Sequence, residues 1–302
     1  MKWKPLSLVP GLLLVMLSTG SALRDAPSPW LRELCGTVVP RTEFMYWTDG
    51  GNGTIERANL DGSNREPLIN TELQLPRGIA LDVAGGKIYW TDSGTQSIER
   101  ANLDGSGRES LVNTGLEPEI PDGIALDVAG GKMYWTDSGT QSIERANLDG
   151  SGREPLITSR LDVPRGIAID VDGGKIYWID SGAQRIERAN LDGSGRESLV
   201  NTELGTPRGI AIDVAGGKMY WTDSGTQSIE RANLDGSGRE PLITTGLGIP
   251  RGIAIDVAGG KMYWTDSATD TIERANLDGS GREALVTTGV DSPNGMVLGV
   301  GR

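Results

Sequence analysis

Short apolar runs separated by polar turns repeat along most of this chain. Between Pro76 and Thr114, four such runs follow one another: GIALDV, KIYWT, IERANL and RESLVN. Each is short and rich in β-branched or aromatic residues, which is typical of β-strands. The segments between them contain Gly-Gly, Asp-Ser-Gly and Asp-Gly, which favour tight turns. The pattern predicts a four-stranded antiparallel unit with strands at 78–83, 87–91, 98–103 and 108–113.

This unit recurs six times. Its most regular element is Tyr-Trp-(Thr/Ile)-Asp, whose successive tyrosines lie 43 residues apart except for one interval of 45. A period in the forties with several strands per unit is typical of β-propellers, in which each sheet packs only against its neighbours. We therefore expect an all-β, six-bladed β-propeller of four-stranded antiparallel blades. The tyrosines are Tyr46, Tyr89, Tyr134, Tyr177, Tyr220 and Tyr263.

Proline positions indicate the strand order and the closure of the ring. Pro67, Pro155 and Pro241 occur in the fourth run of their units, and proline is tolerated in edge strands, so this run should be outermost. The first-run motif Pro-x-Gly occurs six times, but no copy precedes the first Tyr-Trp and a spare copy begins at Pro293. We expect the C-terminal strand to pair into the first blade and close the ring.

The first 22 residues have the pattern of an export signal. Two lysines precede 12 apolar residues from Leu6 to Leu17, and small residues follow at Gly20-Ser21-Ala22. The apolar run is shorter than the roughly 20 residues that a membrane-spanning helix needs. We predict a signal peptide at 1–22, a linker at 23–43, a propeller at 44–302, no transmembrane segment, and a secreted location, extracellular or periplasmic.

Composition narrows the functional classes. The chain has 41 acidic and 29 basic residues and a net charge of −12, which disfavours nucleic acid as a partner because phosphate binding needs a basic face. It contains no histidine, so His-based catalysis and His-ligated zinc are excluded. Its single cysteine, Cys35, excludes an intrachain disulfide and leaves a Cys35-linked dimer open.

Three linked motifs, Tyr-Trp-Thr-Asp, Pro-x-Gly-Ile-Ala-x-Asp and Ile-Glu-Arg-Ala-Asn-Leu-Asp-Gly, resemble the LDL-receptor class B (YWTD) repeats. The resemblance covers residues 45–298. It implies a six-bladed propeller that acts as a binding module. The sequence contains neither the cysteine-rich modules nor the histidines associated with the animal receptors. The resemblance therefore implies protein binding without implying the ligands of those receptors.

The repeated aromatic and acidic residues are interpreted as structural. A tryptophan in every blade favours packing between sheets over a carbohydrate-stacking surface. The motif aspartates are expected to accept hydrogen bonds from loop amides rather than to bind metal. The tryptophans are Trp47, Trp90, Trp135, Trp178, Trp221 and Trp264, and the aspartates are Asp49, Asp92, Asp137, Asp180, Asp223 and Asp266.

Loops on one face differ most between the copies. The segments from the fourth strand to the next first strand range from NTELQLPR to TTGVDSPN, whereas the GGK and DGSGR turns of the opposite face are almost uniform. Such variation is expected of a binding surface on a fixed scaffold, and equally of drift. The residues after the prolines should ring the channel mouth. They are Arg77, Asp122, Arg165, Arg208, Arg251 and Asn294.

This ring suggests two candidate ligand sites. Its four arginines predict a basic rim for a carboxylate or another anion. The loop before Asp122 is two residues longer than its counterparts, and it places Glu117 and Glu119 next to Asp122 in the sequence. These three residues predict an acidic notch for a basic peptide or a calcium ion.

Repetition around an axis disfavours catalysis, because an active site needs different residues in one asymmetric cluster. We expect an exported protein-binding or scaffold module for a protein or peptide ligand, with no cofactor. One alternative is a calcium-dependent, lactonase-like hydrolase, which would use Ca²⁺. Another is a purely structural surface protein. Asn52 in Asn52-Gly53-Thr54 is a glycan acceptor in a host that glycosylates exported proteins.

Overall fold

The computed structural model describes residues 43–113 and 119–300. These residues form 24 β-strands in six four-stranded antiparallel sheets. The predicted signal peptide, Cys35 and Glu117 lie outside the described residues, as does all of the predicted linker except Glu43. No helix in the described part of the chain is long and apolar enough to cross a membrane.

The strands of the first three blades are short and evenly spaced. They are β1 (Glu43–Asp49), β2 (Thr54–Asn59) and β3 (Glu66–Ile69) in the first, β4 (Pro76–Asp82), β5 (Lys87–Asp92), β6 (Ser97–Asn102) and β7 (Glu109–Asn113) in the second, and β8 (Pro121–Asp127), β9 (Lys132–Asp137), β10 (Ser142–Asn147) and β11 (Glu154–Ile157) in the third.

The remaining strands repeat this arrangement. They are β12 (Pro164–Asp170), β13 (Lys175–Asp180), β14 (Arg185–Asn190) and β15 (Glu197–Val200) in the fourth blade, β16 (Pro207–Asp213), β17 (Lys218–Asp223), β18 (Ser228–Asn233) and β19 (Glu240–Ile243) in the fifth, β20 (Pro250–Asp256), β21 (Lys261–Asp266), β22 (Thr271–Asn276) and β23 (Glu283–Val286) in the sixth, and β24 (Pro293–Val300) at the end.

In five of the six sheets the order of strands follows the chain. In the second blade it is β4-β5-β6-β7, so the fourth strand is outermost, and the proline-containing β3, β11 and β19 are likewise edge strands. The structure confirms the predicted strands to within two residues. The largest difference is that β4 begins at Pro76 instead of Gly78.

The C-terminal strand closes the ring. The first sheet has the order β24-β1-β2-β3, and β24 pairs antiparallel with β1, with Tyr46 opposite Val297 and Trp47 opposite Met296. The innermost position of the first sheet is therefore held by β24. The predicted closure is confirmed.

The Tyr-Trp pairs form the core between blades. Neighbouring residues of a strand point to opposite faces of the sheet, so each tyrosine faces one adjacent blade and each tryptophan the other. Tyr46 shares a buried cluster with Trp90, and Tyr263 shares one with Trp47 across the closure. The six motif tryptophans are at most 1 % exposed. An arginine stacks on each, as Arg108 does on Trp90 with Cζ 5.6 Å from the ring centroid.

A second repeated arginine joins each blade to the next. Arg100 pairs with Glu109 on its own sheet and donates from Nη1 to the carbonyl oxygen of Leu148 in the following blade, at 2.9 Å. Equivalent bonds occur at every junction between blades. The pairs are Arg57 with Leu103, Arg100 with Leu148, Arg145 with Leu191, Arg188 with Leu234, Arg231 with Leu277 and Arg274 with Leu60.

Candidate functional site: the channel mouth and the variable face

The motif aspartates hold the loops of the variable face. Asp92 is fully buried, and its carboxylate accepts hydrogen bonds of 2.9 Å from the backbone amides of Gln74, Leu75 and Gly94. It thereby ties the loop before β4 to the loop after β5. Burial raises the pKa of Asp49 and of Asp137, although the backbone amides that donate hydrogen bonds to these carboxylates act to lower it. The structure thus places these aspartates as anchors of the loop backbone.

A β-bulge at the start of each inner strand turns one side chain toward the channel. Pro76 lies opposite Asp92 and Ile79 lies opposite Trp90, so Arg77 and Gly78 together face the single residue Thr91. The Thr91 hydroxyl accepts a hydrogen bond from the Gly78 amide at 2.8 Å. It also donates to the carbonyl oxygen of Asp122 in the next blade at 2.5 Å. One hydroxyl therefore stabilises the bulge and bridges two blades.

The glycine of the bulge lets the inner strands approach one another closely. A Cβ atom at Gly78 would overlap the carbonyl oxygen of Asp122, and one at Gly123 would lie 2.5 Å from that of Arg165. The same relation holds around the ring and ends with Gly295 against Arg77. The sequence shows the Pro-x-Gly motif, but the close approach that its glycine permits was not predicted. The joint recurrence of this proline, this glycine and the motif threonine could have indicated it.

The residues after the prolines form a ring of six side chains at the mouth of the central channel. Asp122 Oδ2 accepts hydrogen bonds from Nη1 of Arg77 at 3.2 Å and from Nη1 of Arg165 at 3.0 Å. On the other side of the ring, Arg251 Nη1 donates to Asn294 Oδ1 at 2.7 Å. Arg208 has no carboxylate within ion-pair distance among the described residues. The ring thus contains four guanidinium groups and one carboxylate.

Burial and mutual repulsion act on these arginines. Burial, followed by the charges of Arg165 and Arg251, lowers the pKa of Arg208 to about 10. Burial, followed by the charge of Arg77, lowers the pKa of Arg251. With a pKa of about 10, Arg208 remains protonated at neutral pH. Below these arginines, a second layer of aliphatic side chains completes a cavity of about 100 Å³ and consists of Ile79, Ile124, Ile167, Ile210, Ile253 and Met296.

The two described residues of the predicted acidic notch belong to separate ion pairs. Glu119 Oε1 lies 2.8 Å from Arg153 Nη2, and its side chain is 14 % exposed. Asp122 pairs instead with the ring arginines. In the second blade the equivalent of Arg153 is Arg108, which donates to the carbonyl oxygen of Thr71 in the shorter loop. Glu119 of the longer loop is thus a second carboxylate partner of Arg153 beside Glu144, and ligand binding at the notch stays a prediction.

The fourth blade departs from the symmetry of the channel mouth. Ile179 occupies the motif position that is threonine in the other blades, and the nearby Ser181 hydroxyl donates to the carbonyl oxygen of Pro207 in the next blade. In the second blade the corresponding Ser93 accepts a hydrogen bond from Arg77 Nε. Arg165 Nε is buried and has no hydrogen-bond partner in the described part of the structure. Ile179 was visible in the sequence, but its consequence for Arg165 was not predicted.

The opposite face consists of closed hairpin turns. Asp104 Oδ1 accepts hydrogen bonds from the Ser106 amide at 2.9 Å and from the Ser106 hydroxyl at 2.6 Å, and this hydroxyl bond is the main cause of the lowered pKa of Asp104. Within residues 43–113 and 119–300, no three His, Cys, Asp or Glu side chains are grouped so as to hold a metal ion. Asn52 is exposed and donates from Nδ2 to Asp49 at 3.1 Å; its glycosylation stays a prediction.

The closed ring of six Tyr-Trp-(Thr/Ile)-Asp sheets defines the protein as a YWTD-type β-propeller. The chain belongs to the virginiamycin B lyase family, whose family model matches residues 35–275. The model of the low-density lipoprotein receptor repeat class B matches residues 260–298. The predicted resemblance to the class B repeats is thus confirmed, within a chain that matches a second propeller family over most of its length.

Curated relatives share about one blade with this chain. Protein cueball of Drosophila sechellia is 50 % identical over 40 residues, which are 13 % of this chain and 6 % of the relative. Low-density lipoprotein receptor-related protein 5 of Homo sapiens is 49 % identical over 43 residues, 14 % of this chain and 3 % of the relative. The chain therefore spans only a small fraction of these relatives.

A solved structure matches the whole propeller. A chain from the crystal structure of a nidogen/laminin complex superimposes with a TM-score of 0.77 and 28 % sequence identity. The match covers 85 % of this chain and 98 % of that chain. Similarity therefore extends around the complete ring.

Proposed function

We propose that the protein is an exported binding module that recognises a protein or peptide partner through its variable face. The observation that carries this proposal is that each loop combines constant anchoring residues with variable exposed residues. The aspartates that anchor the loops are the same in every blade, whereas the exposed residues between the anchors differ. A scaffold that is fixed at its anchors and varied at its exposed positions is suited to specific recognition.

Exposed apolar residues at the channel mouth support the same proposal. Leu75, Ile120 and Ile249 directly precede the prolines of their inner strands and are 36–38 % exposed. They surround a polar ring, and binding surfaces commonly combine apolar contacts with a few charged groups. The matched chain of known structure comes from a complex of two proteins, nidogen and laminin. Export is supported by the predicted signal peptide.

The test compares two matched triple variants in a pull-down with the purified chain. Leu75→Asp, Ile120→Asp and Ile249→Asp together alter the variable face. Val128→Asp, Val214→Asp and Val257→Asp alter somewhat more exposed positions, at 39–47 %, at turns of the opposite face. A partner that binds the wild type and the second variant but not the first supports the proposal. Equal binding to both variants, or loss only in the second, contradicts it, and absence of any partner favours a purely structural protein.

An enzymatic function is the second candidate, because the virginiamycin B lyase family model matches residues 35–275. The substrate to test is therefore virginiamycin B, with and without added Ca²⁺ or Mg²⁺. Mass spectrometry of the incubated compound reports a change of mass or a fragment. Conversion that scales with protein concentration supports this candidate, and an unchanged compound under all conditions contradicts it.

A further inference from the structure

Positive charge is concentrated on one half of the channel ring. Arg165, Arg208 and Arg251 follow one another in consecutive blades, whereas the carboxylate of Asp122 is shared between Arg165 and Arg77. With four guanidinium groups against one carboxylate, three positive charges are unbalanced. They lie at a partly buried site, where charge is less well solvated than on the surface.

Several donors in this half of the ring have no acceptor in the described part of the protein. Arg208 donates from Nε to the Ser224 hydroxyl at 3.0 Å, and its terminal nitrogens make no hydrogen bond there. Arg165 Nε is buried and unpartnered, because Ser181 is engaged with the next blade. Guanidinium groups with unused donors in a shared cavity are suited to an anion that accepts several hydrogen bonds.

We propose that the channel mouth binds one tetrahedral oxyanion of the phosphate or sulfate class between Arg165, Arg208 and Arg251. The site goes beyond protein recognition, since it is complete in the free propeller. The cavity of about 100 Å³ is well above the roughly 10–15 Å³ that one water molecule needs on this measure, so it has room for a small anion together with several water molecules.

Charge and shape favour this class over a halide or a carboxylate. A planar carboxylate pairs most effectively with one guanidinium, whereas the oxygens of a tetrahedral anion point toward several arginines at once. A divalent anion also balances two of the three excess charges. The chain as a whole carries a net charge of −12, so binding depends on these local contacts and not on long-range attraction.

The oxyanion has two possible sources, a free inorganic ion or an ester group carried by a larger molecule. Isothermal titration calorimetry at constant ionic strength would compare inorganic phosphate and sulfate with phenyl phosphate and phenyl sulfate, with chloride and acetate as reference anions. Saturable binding of the inorganic ions alone identifies a free ion. Tighter binding of the esters identifies a carried group. Absence of saturable binding of all four oxyanions overturns the proposal.

Three variants locate the site. Arg208→Gln should weaken oxyanion affinity by about tenfold or more, since a charge-assisted hydrogen bond is lost. Asp122→Asn should strengthen it, because the competing carboxylate is removed. The matched control is Arg160→Gln, which removes an exposed arginine from a loop of the same face and should leave affinity unchanged. Equal affinity in wild type and Arg208→Gln would overturn the proposal. If Arg208→Gln does not fold, Arg208→Lys takes its place. This variant keeps the charge, so its loss of oxyanion affinity should be intermediate.

Discussion

Arg274 in the sixth blade donates from Nη1 to the carbonyl oxygen of Leu60 in the first blade, at 2.8 Å. The bond is equivalent to that between Arg100 and Leu148 at 2.9 Å, inside the repeat array. The junction where the ends of the propeller meet therefore has the same chemistry as the other junctions. Stability of this junction depends on β24, which completes the first sheet.

Deletion of residues 293–302 should abolish cooperative folding. The deletion removes the inner strand of the first sheet, the buried Met296 of the core cluster and the close contact of Gly295 with Arg77. Exposed core and an unpaired edge of β1 should give an insoluble or molten product. Solubility, near-UV circular dichroism and a melting curve test this. A soluble product with a cooperative transition would show that closure by β24 is dispensable.

Gly209→Ala should destabilise the propeller by about 1–3 kcal/mol, the usual cost of overpacking. Its Cβ would overlap the carbonyl oxygen of Arg251, which belongs to the backbone of the next inner strand and cannot rotate away. Gly217→Asn is the control: this glycine has φ of +66° and open space around it, and asparagine tolerates that conformation. Urea unfolding measures both. Equal stability of the two variants would contradict the close-approach role of Gly209.

Thr222→Val should cost about 1–3 kcal/mol, because the partly buried Gly209 amide loses its acceptor and the Arg251 carbonyl loses its donor. Valine conserves the shape, so the loss reports the hydroxyl. Ile179→Val in the fourth blade, where this hydroxyl is naturally missing, is the matched control and removes one methylene only. Chemical denaturation should show the larger loss for Thr222→Val, and a larger loss for Ile179→Val would refute the bridging role.

Ser106→Ala should raise the pKa of Asp104 toward its ordinary value of 3.8, because the Ser106 hydroxyl is the first cause of the lowered pKa. The associated stabilisation is present in full above pH 3.8 and is lost as the pH falls through the lower folded-state pKa. The wild type and the variant should therefore differ in melting temperature near pH 6 and converge below pH 3.8. An NMR titration of the Asp104 carboxyl measures the pKa directly, with Asp149 as the internal reference.

The repeat pattern was sufficient to predict the blades and their closure, because strand length, turn residues and copy number are local properties of the sequence. The spare Pro-x-Gly copy at Pro293 identified the closing strand for the same reason. The partners of Glu119 and Asp122 were not predictable in this way. They are neighbours in sequence, yet Glu119 pairs with Arg153 and Asp122 with Arg77 and Arg165.

The properties of the channel mouth also depend on distances between blades. The overlap that a Cβ at Gly78 would cause is set by the neighbouring inner strand, and so is the bridge from Thr91 to Asp122. Similarly, in the blade where Ile179 replaces the motif threonine, the Ser181 hydroxyl donates to the next blade. Arg165 Nε is therefore left without a partner among the described residues. Each of these features depends on where in space a residue at least 13 positions away along the chain lies, and a single sequence does not give that location.

The arginine–leucine hydrogen bonds between blades all run in one direction around the ring. Each blade presents an arginine donor on one side and a leucine carbonyl on the other, so every junction is of the head-to-tail type. For this contact, any blade can therefore follow any other without a mismatch of donor and acceptor. In-frame gain or loss of one 43-residue unit would therefore keep a matching arginine donor and leucine acceptor at every junction of the altered array.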